Sequence, residues 1–264
     1  GTDELVLTNA TTVDFTTGTL ANLQTLTGST GDDDVTIEIS SLGQFTTVDL
    51  GADAGGDTMR VQIDGVYDAV VNGVPVVTNV ENGFLIGSAN ADTLTASGTD
   101  IDNLVYGTGT IDMGGATDII NLTSTSTNLN VLGGTDGSIQ GLEEINASTA
   151  VAGVTIDLNG QSEGFTVTGS GNDDVITTGS GVDNVDGGAG ADTIDVGAGD
   201  ETLSGGAGDD VLTGGAGVDT IDGGADNDTI NLANGDFAVG ESIDGGTGTD
   251  ELVLTNATTV DFTT

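Results

Sequence analysis

The sequence predicts an all-β chain wound as a parallel β-solenoid. Three observations lead there: a run of nine-residue units with an aliphatic residue at every ninth position, short alternating strands elsewhere, and no stretch with a helical apolar period. Composition limits what kind of solenoid this is. The 264 residues carry 43 Asp and Glu against a single basic residue, Arg60, and no His, for a formal charge of −42. Self-repulsion of that size opposes a compact state unless cations neutralise it. Nucleic acid and anionic lipid are excluded as electrostatic partners, because the chain has nothing with which to displace phosphate counterions. Hydrophobic residues still make up 35% of the chain, but with six Phe, two Tyr and no Trp the core must be thin and aliphatic. The absence of Cys removes disulfides and thiolate zinc sites. No stretch approaches 18 apolar residues, so membrane insertion is not expected, and an export signal would lie outside this chain.

The nonapeptides are clearest from Thr178, where units begin at 178, 187, 196, 205, 214 and 223 without an insertion. Their eighth position reads Val185, Ile194, Leu203, Leu212, Ile221 and Ile230, and their sixth reads Asp183, Asp192, Glu201, Asp210, Asp219 and Asp228. Glycines fill most of positions one, two and four, among them Gly187, Gly188 and Gly190, Gly205, Gly206 and Gly208, and Gly214, Gly215 and Gly217. This spacing predicts a three-residue strand with its aliphatic side chain inward, then a six-residue turn in which glycine permits close backbone approach. Two such units make one coil. A seventh unit reads TGSGNDDVI from Thr168, one residue out of step, and an eighth, GGTGTDELV, begins at Gly245.

These units resemble the RTX, or haemolysin-type, calcium-binding nonapeptide G-G-x-G-x-D-x-U-x. The resemblance implies a parallel β-roll with several calcium ions held between turns that stack eighteen residues apart. It assigns Asp183, Glu201 and Asp219 to one edge and Asp192, Asp210 and Asp228 to the other, with Asp173 and Asp250 extending the ladders and the turn glycines supplying carbonyls. Calcium takes six or more oxygen ligands in flexible geometry, which two adjacent turns can share. Glu201 departs from the pattern by a methylene, so its sites are expected to be looser or to use Asp200. Asp226 stands where the family has the fourth-position Gly, which should cost backbone strain unless it adopts a left-handed conformation, which Asp partly tolerates.

Residues 18–166 are less regular. Turns at Gly28, Ala52 and Gly87 echo the nonapeptide and place Asp33, Asp57 and Asp92 as further candidate metal ligands. Period-two runs recur as TVDF, TVDL, TIDM, TIDL and TIDV. The segments ANLQTLTGS, TNVENGFLIGS and QGLEEINAS resemble connectors between coils in RTX adhesins and surface-layer proteins, which extends the solenoid expectation through this region. A β-sandwich is the alternative reading for these residues, and VYDAVVNGVPVV suits a protruding hairpin. The chain is therefore divided as 1–17, 18–166, 167–247 and 248–264.

The last division rests on a repeat: GTDELVLTNATTVDFTT occurs at Gly1 and again, identical, at Gly248. A unit of a tandem array is expected, continued head to tail by copies of itself. Nucleophilic triads need a base that the chain lacks, so no enzyme is expected. Arg60 is expected to pair with Asp57 or Asp64. Together with the resemblance, these features imply a secreted, cell-surface structural repeat that calcium folds and stacks into a surface layer, filament or rod. Type I secretion and attachment to a surface glycan would depend on regions outside this chain. The alternative is a stalk or ligand-binding module of a giant adhesin.

Overall fold

The computed structural model describes residues 4–7, 12–16, 20, 21, 23–29, 31–51, 57–69, 74–78, 82–233 and 236–255. It divides into two compact units. The first is Gly1–Ile120 with Thr127–Leu129 and Ser138–Leu142; the second is Asn121–Ser126, Asn130–Gly137 and Glu143–Thr264. Each is an all-parallel β-solenoid, the second a parallel β-roll.

In the first unit, one sheet stacks Glu4–Val6, Thr25–Thr27, Thr47–Asp49 and Val76–Thr78. Another stacks Thr12–Asp14, Asp34–Glu38, Thr58–Gln62, Asn82–Ile86, Ile111–Asp112 and Ile139–Gln140. Successive coils place like on like: Val35 lies beside Met59 and Val61 beside Leu85, all buried. Period-two alternation explains this, since every second side chain of a strand points the same way. A sandwich built of hairpins would need antiparallel neighbours, so the β-sandwich reading of this region is overturned. Among the described residues, the two arms of the hairpin expected at 66–77 do not pair with each other, and its tip, residues 70–73, lies outside the described residues. Val66–Asp68 pairs in parallel with Thr93–Thr95, and Val76–Thr78 pairs in parallel with Thr47–Asp49.

Short helices at Ile39–Leu42, Gly98–Asp102 and Thr127–Gly133 interrupt the strands. They are too short to show a 3.6-residue apolar period, which is why that pattern misses them. One does carry a start signal: Ser97 and Asp100 form a capping box, with Asp100 N–H donating to Ser97 Oγ at 3.2 Å and Ser97 N–H to Asp100 Oδ2 at 2.9 Å. No helix among the described residues is long and apolar enough to cross a membrane.

The second unit has two ladders. One runs through Glu144–Asn146, Thr166–Thr168, Asn184–Ala189, Thr202–Ala207, Thr220–Ala225 and Ser242–Asp244. The other runs through Thr155–Asp157, Val175–Thr177, Thr193–Asp195, Val211–Thr213, Thr229–Leu232 and Glu251–Leu254. Alternate nonapeptides go to alternate ladders, so the eighth-position aliphatics form two buried columns. These are Val167, Val185, Leu203 and Ile221, and Ile176, Ile194, Leu212 and Ile230. Ile176 lies opposite Ile194, which corrects the seventh unit: it begins at Gly169, in step with the others, and contains no extra residue.

Candidate metal centre

The sixth-position carboxylates point inward and form ladders of their own. Along one edge, Oδ1 of each Asp accepts the backbone N–H of the equivalent residue one coil earlier. Asp174 N–H donates to Asp192 at 2.8 Å, Asp192 to Asp210 at 2.7 Å, Asp210 to Asp228 at 2.9 Å and Asp228 to Asp250 at 3.1 Å. Along the other edge, Phe165 N–H donates to Asp183 at 2.8 Å and Glu201 N–H to Asp219 at 3.1 Å. Asp183, Asp192, Asp210, Asp219 and Asp228 are all about as buried as the aliphatic columns.

Only one oxygen of each carboxylate is used in this way. Oδ2 of Asp183, Asp192, Asp210, Asp219 and Asp228 is buried without a hydrogen-bond partner, as are both carboxylate oxygens of Glu201. A buried anionic oxygen without a donor is costly. Burial accordingly pushes Asp192 up to about 7 and Asp210 up to about 6, against the lowering effect of their amide donors. Asp183 and Asp228 are raised for the same first reason. Glu201 is raised by burial and by the adjacent Asp219 carboxylate.

The unmatched oxygens face backbone carbonyls. A side-chain carbon placed on Gly187 would lie 2.5 Å from Asp192 Oδ2 and 2.6 Å from the Gly205 carbonyl oxygen. One on Gly223 would lie 2.5 Å from Asp228 Oδ2 and 2.6 Å from the Gly245 carbonyl oxygen. Carboxylate and carbonyl oxygens from two coils thus converge beside Gly187 and Gly223, and likewise beside Gly205 with Asp210 and the Gly223 carbonyl, while Gly214 abuts the Asp219 carboxylate. At positions two and four, the Gly188 and Gly190 carbonyls stack beneath Gly206 and Gly208, and the Gly197 and Gly199 carbonyls beneath Gly215 and Gly217. Asp226, at position four, takes the left-handed alternative, with φ +81°.

The remaining candidates fall in different places. Asp173 is exposed, one position before the inward-facing residue, and accepts Ala191 N–H at 2.8 Å. The ladder position belongs to Asp174, which in-step counting from Gly169 would have found. Asp200 is likewise exposed and accepts Val218 N–H at 3.0 Å, while Glu201 itself turns inward. Side-chain alternation along the chain places the two on opposite sides of it. Asp250 belongs to the ladder and is exposed.

In the first unit, Asp33, Asp57 and Asp92 are buried. Asp33 N–H donates to Asp57 Oδ1 at 2.7 Å, and Asp92 N–H donates to Asp118 Oδ1 at 2.6 Å. Asp118 was not among the sequence candidates; its signal is the GGATD turn. Residues 52–56 of the turn leading to Asp57 lie outside the described residues. Arg60 pairs with Asp34, on the neighbouring strand, rather than with Asp57 or Asp64, and its guanidinium lies 5.3 Å from the Phe84 ring centre.

Among the described residues, no three acidic side chains stand close enough to hold a metal ion by themselves. A cation in these turns would therefore draw on carbonyls as well as carboxylates. That all-oxygen, irregular donor set fits calcium and suits neither zinc nor copper. The residues that would hold it are Asp183, Asp192, Glu201, Asp210, Asp219 and Asp228 with the carbonyls of the turn glycines. Bound there, calcium supplies the positive charge that the stacked carboxylates lack.

No curated protein matches the chain. The family model for the RTX calcium-binding nonapeptide repeat matches residues 166–194 and 195–230, with four copies. That span coincides with the coils in which the aliphatic columns and carboxylate ladders keep an eighteen-residue step. Residues 166–230 are therefore an RTX calcium-binding repeat, folded as a parallel β-roll.

Proposed function

We propose that this chain is an extracellular structural repeat that calcium folds and that stacks on copies of itself to build a surface layer, filament or rod. The observation that carries the reading is the set of buried ladder carboxylates Asp183, Asp192, Asp210, Asp219 and Asp228, each with one oxygen that lacks a donor. Without a counter-ion these groups oppose the coil, and with one they tie each turn to the next. Metal binding free energy is then folding free energy. With this charge the nonapeptide coils are destabilised where calcium is scarce, which suits passage through an export channel, and they close outside the cell.

The duplicated stretch supports stacking. Its first copy, at Glu4–Val6, is paired with the strand that follows it, Thr25–Thr27. Its second copy, at Glu251–Leu254, is paired with the strand that precedes it, Thr229–Leu232. One sequence is thus stacked from either side, as a segment joining successive units must be.

Electron microscopy and circular dichroism of the chain, in calcium and in chelator, test this reading. Regular fibres or sheets in calcium alone, with β-structure that falls in chelator, are expected. Calcium-folded particles that stay monomeric would move the reading to the stalk of an adhesin, where units are joined covalently. β-Structure unchanged by chelator would remove calcium from the account.

A further inference from the structure

The turns fall into two chemical classes, set by the residue at position two. At Gly188, Gly206 and Gly224 it is a glycine with positive φ, at +101°, +108° and +105°. The N–H of Gly188 is taken by Asp186 Oδ1 at 3.1 Å, and Oδ2 of Asp192 is left without a donor. The turns at Gly28, Gly87 and Gly169 instead carry serine at position two. There Ser29 N–H donates to Asp33 Oδ2 at 2.7 Å, Ser88 N–H to Asp92 Oδ2 at 2.6 Å and Ser170 N–H to Asp174 Oδ2 at 2.5 Å. The other oxygen is engaged too: Asp92 Oδ1 accepts Gly65 N–H at 2.5 Å, and Asp174 Oδ1 accepts Val154 N–H at 2.6 Å. Each serine hydroxyl also receives the N–H two residues on, from Gly31, Asn90 and Asn172.

Among the described residues, the non-glycine positions with positive φ are Ala116 and Asp226, so these three serines have the ordinary negative φ. That conformation aims the serine amide at the carboxylate, whereas the left-handed glycine aims its amide elsewhere. The serine amide therefore does for Asp33, Asp92 and Asp174 what a cation must do for Asp192, Asp210 and Asp228.

We infer that the glycine–serine turns are calcium-independent, and that serine at position two marks the coils that stay closed without metal. The inference rests on the calcium reading of the nonapeptides. The core agrees with it. Around the serine turns of the first unit Ile37, Leu42, Leu50, Met59, Leu85 and Leu94 are fully buried, a thicker apolar filling than one aliphatic for each nonapeptide.

Hydrogen exchange read by mass spectrometry on the 264-residue chain, in calcium and in chelator, tests it. In chelator, residues 28–38 and 87–96 are expected to keep their protection within about threefold, while residues 202–213 and 220–231 lose it by about a hundredfold or more. Loss in both sets overturns the inference and leaves the calcium reading standing. Protection retained in both overturns the calcium reading, and the inference with it.

Bound calcium measured by atomic emission gives a second check. Asp92→Asn is expected to retain the wild-type calcium content, and Asp210→Asn to lose at least one ion. An equal loss in the two variants overturns the inference. Should Asp92→Asn fail to fold, the exchange experiment on the unmodified chain still decides.

Discussion

The backbone N–H of Asp192 donates to Oδ1 of Asp210 at 2.7 Å across one full coil, while Oδ2 of the same carboxylate is buried without a donor. The two oxygens have separate tasks. Oδ1 fixes the stacking of one turn on the next. Oδ2 adds nothing to the metal-free coil and is available to a cation.

Asp210→Asn separates these tasks. The amide keeps an acceptor for the Asp192 N–H but removes the charge and replaces the unmatched oxygen with a donor. In calcium, the midpoint of folding is expected to move to about tenfold higher calcium or more, equivalent to about 1.4 kcal/mol. In chelator, the variant should be at least as stable as the unmodified chain, because a buried charge has gone. Calcium titration followed by circular dichroism reads the first effect and thermal unfolding in chelator the second. A variant weakened equally in both conditions would show that Asp210 acts only through its hydrogen bond.

The raised carboxylates predict how the metal-free chain responds to pH. Asp192 at about 7 and Asp210 at about 6 titrate above the ordinary aspartate value, so the folded state binds protons that the unfolded state releases. Their favourable contribution to the metal-free fold is complete below the unfolded pKa near 4 and is lost as pH rises through about 6 to 7. In chelator, the melting temperature should therefore rise as pH is lowered from about 8 toward about 5. Calcium has the opposite dependence, since its ligands must be ionised, so its affinity should fall over the same interval. Melting curves with chelator and calcium titrations at the same pH values check both signs.

The repeat was legible because eighteen-residue stacking leaves a period in the sequence. Val185, Leu203 and Ile221 occupy one column and Ile194, Leu212 and Ile230 the other because nothing is inserted between them. The first unit was less legible. Its coils lengthen, so Val35 meets Met59 after a longer excursion than any nonapeptide pair, and no single period marks the stacking. Asp174 was missed through a one-residue slip, which in a strand exchanges the inner face for the outer one. The distinction between serine and glycine at position two was visible as letters. Its meaning required knowing which way each amide points.

Glu201 breaks the ladder on its edge. Both of its carboxylate oxygens are buried and unpartnered, whereas Asp219 accepts the Glu201 N–H at 3.1 Å. The extra methylene carries the carboxylate past the amide it would otherwise receive. Glu201→Asp should restore an acceptor for the Asp183 N–H and shift the calcium midpoint down several-fold, in line with about 1 kcal/mol for one hydrogen bond. The same titration followed by circular dichroism reads the shift. No change, or a weaker site, would mean that the longer side chain reaches a ligand position of its own.

Gly206 is a position where the turn has no room for a side chain. Its φ of +108° lies where side-chain-bearing residues are strained, and a carbon added to it would sit inside contact distance of the Gly188 carbonyl oxygen one coil away. Relief would require moving backbone that is itself paired, since Gly188 and Gly206 are partners in the ladder. Gly206→Ala should therefore cost about 2–4 kcal/mol, combining backbone strain with overpacking. Ala207→Ser, the next residue and exposed, should stay within about 0.5 kcal/mol of the unmodified chain. Thermal or denaturant unfolding in saturating calcium compares the two. A mild Gly206→Ala would mean that the coils are free to separate at this turn, and that the carbonyl stack beneath Gly206 contributes little to holding them together.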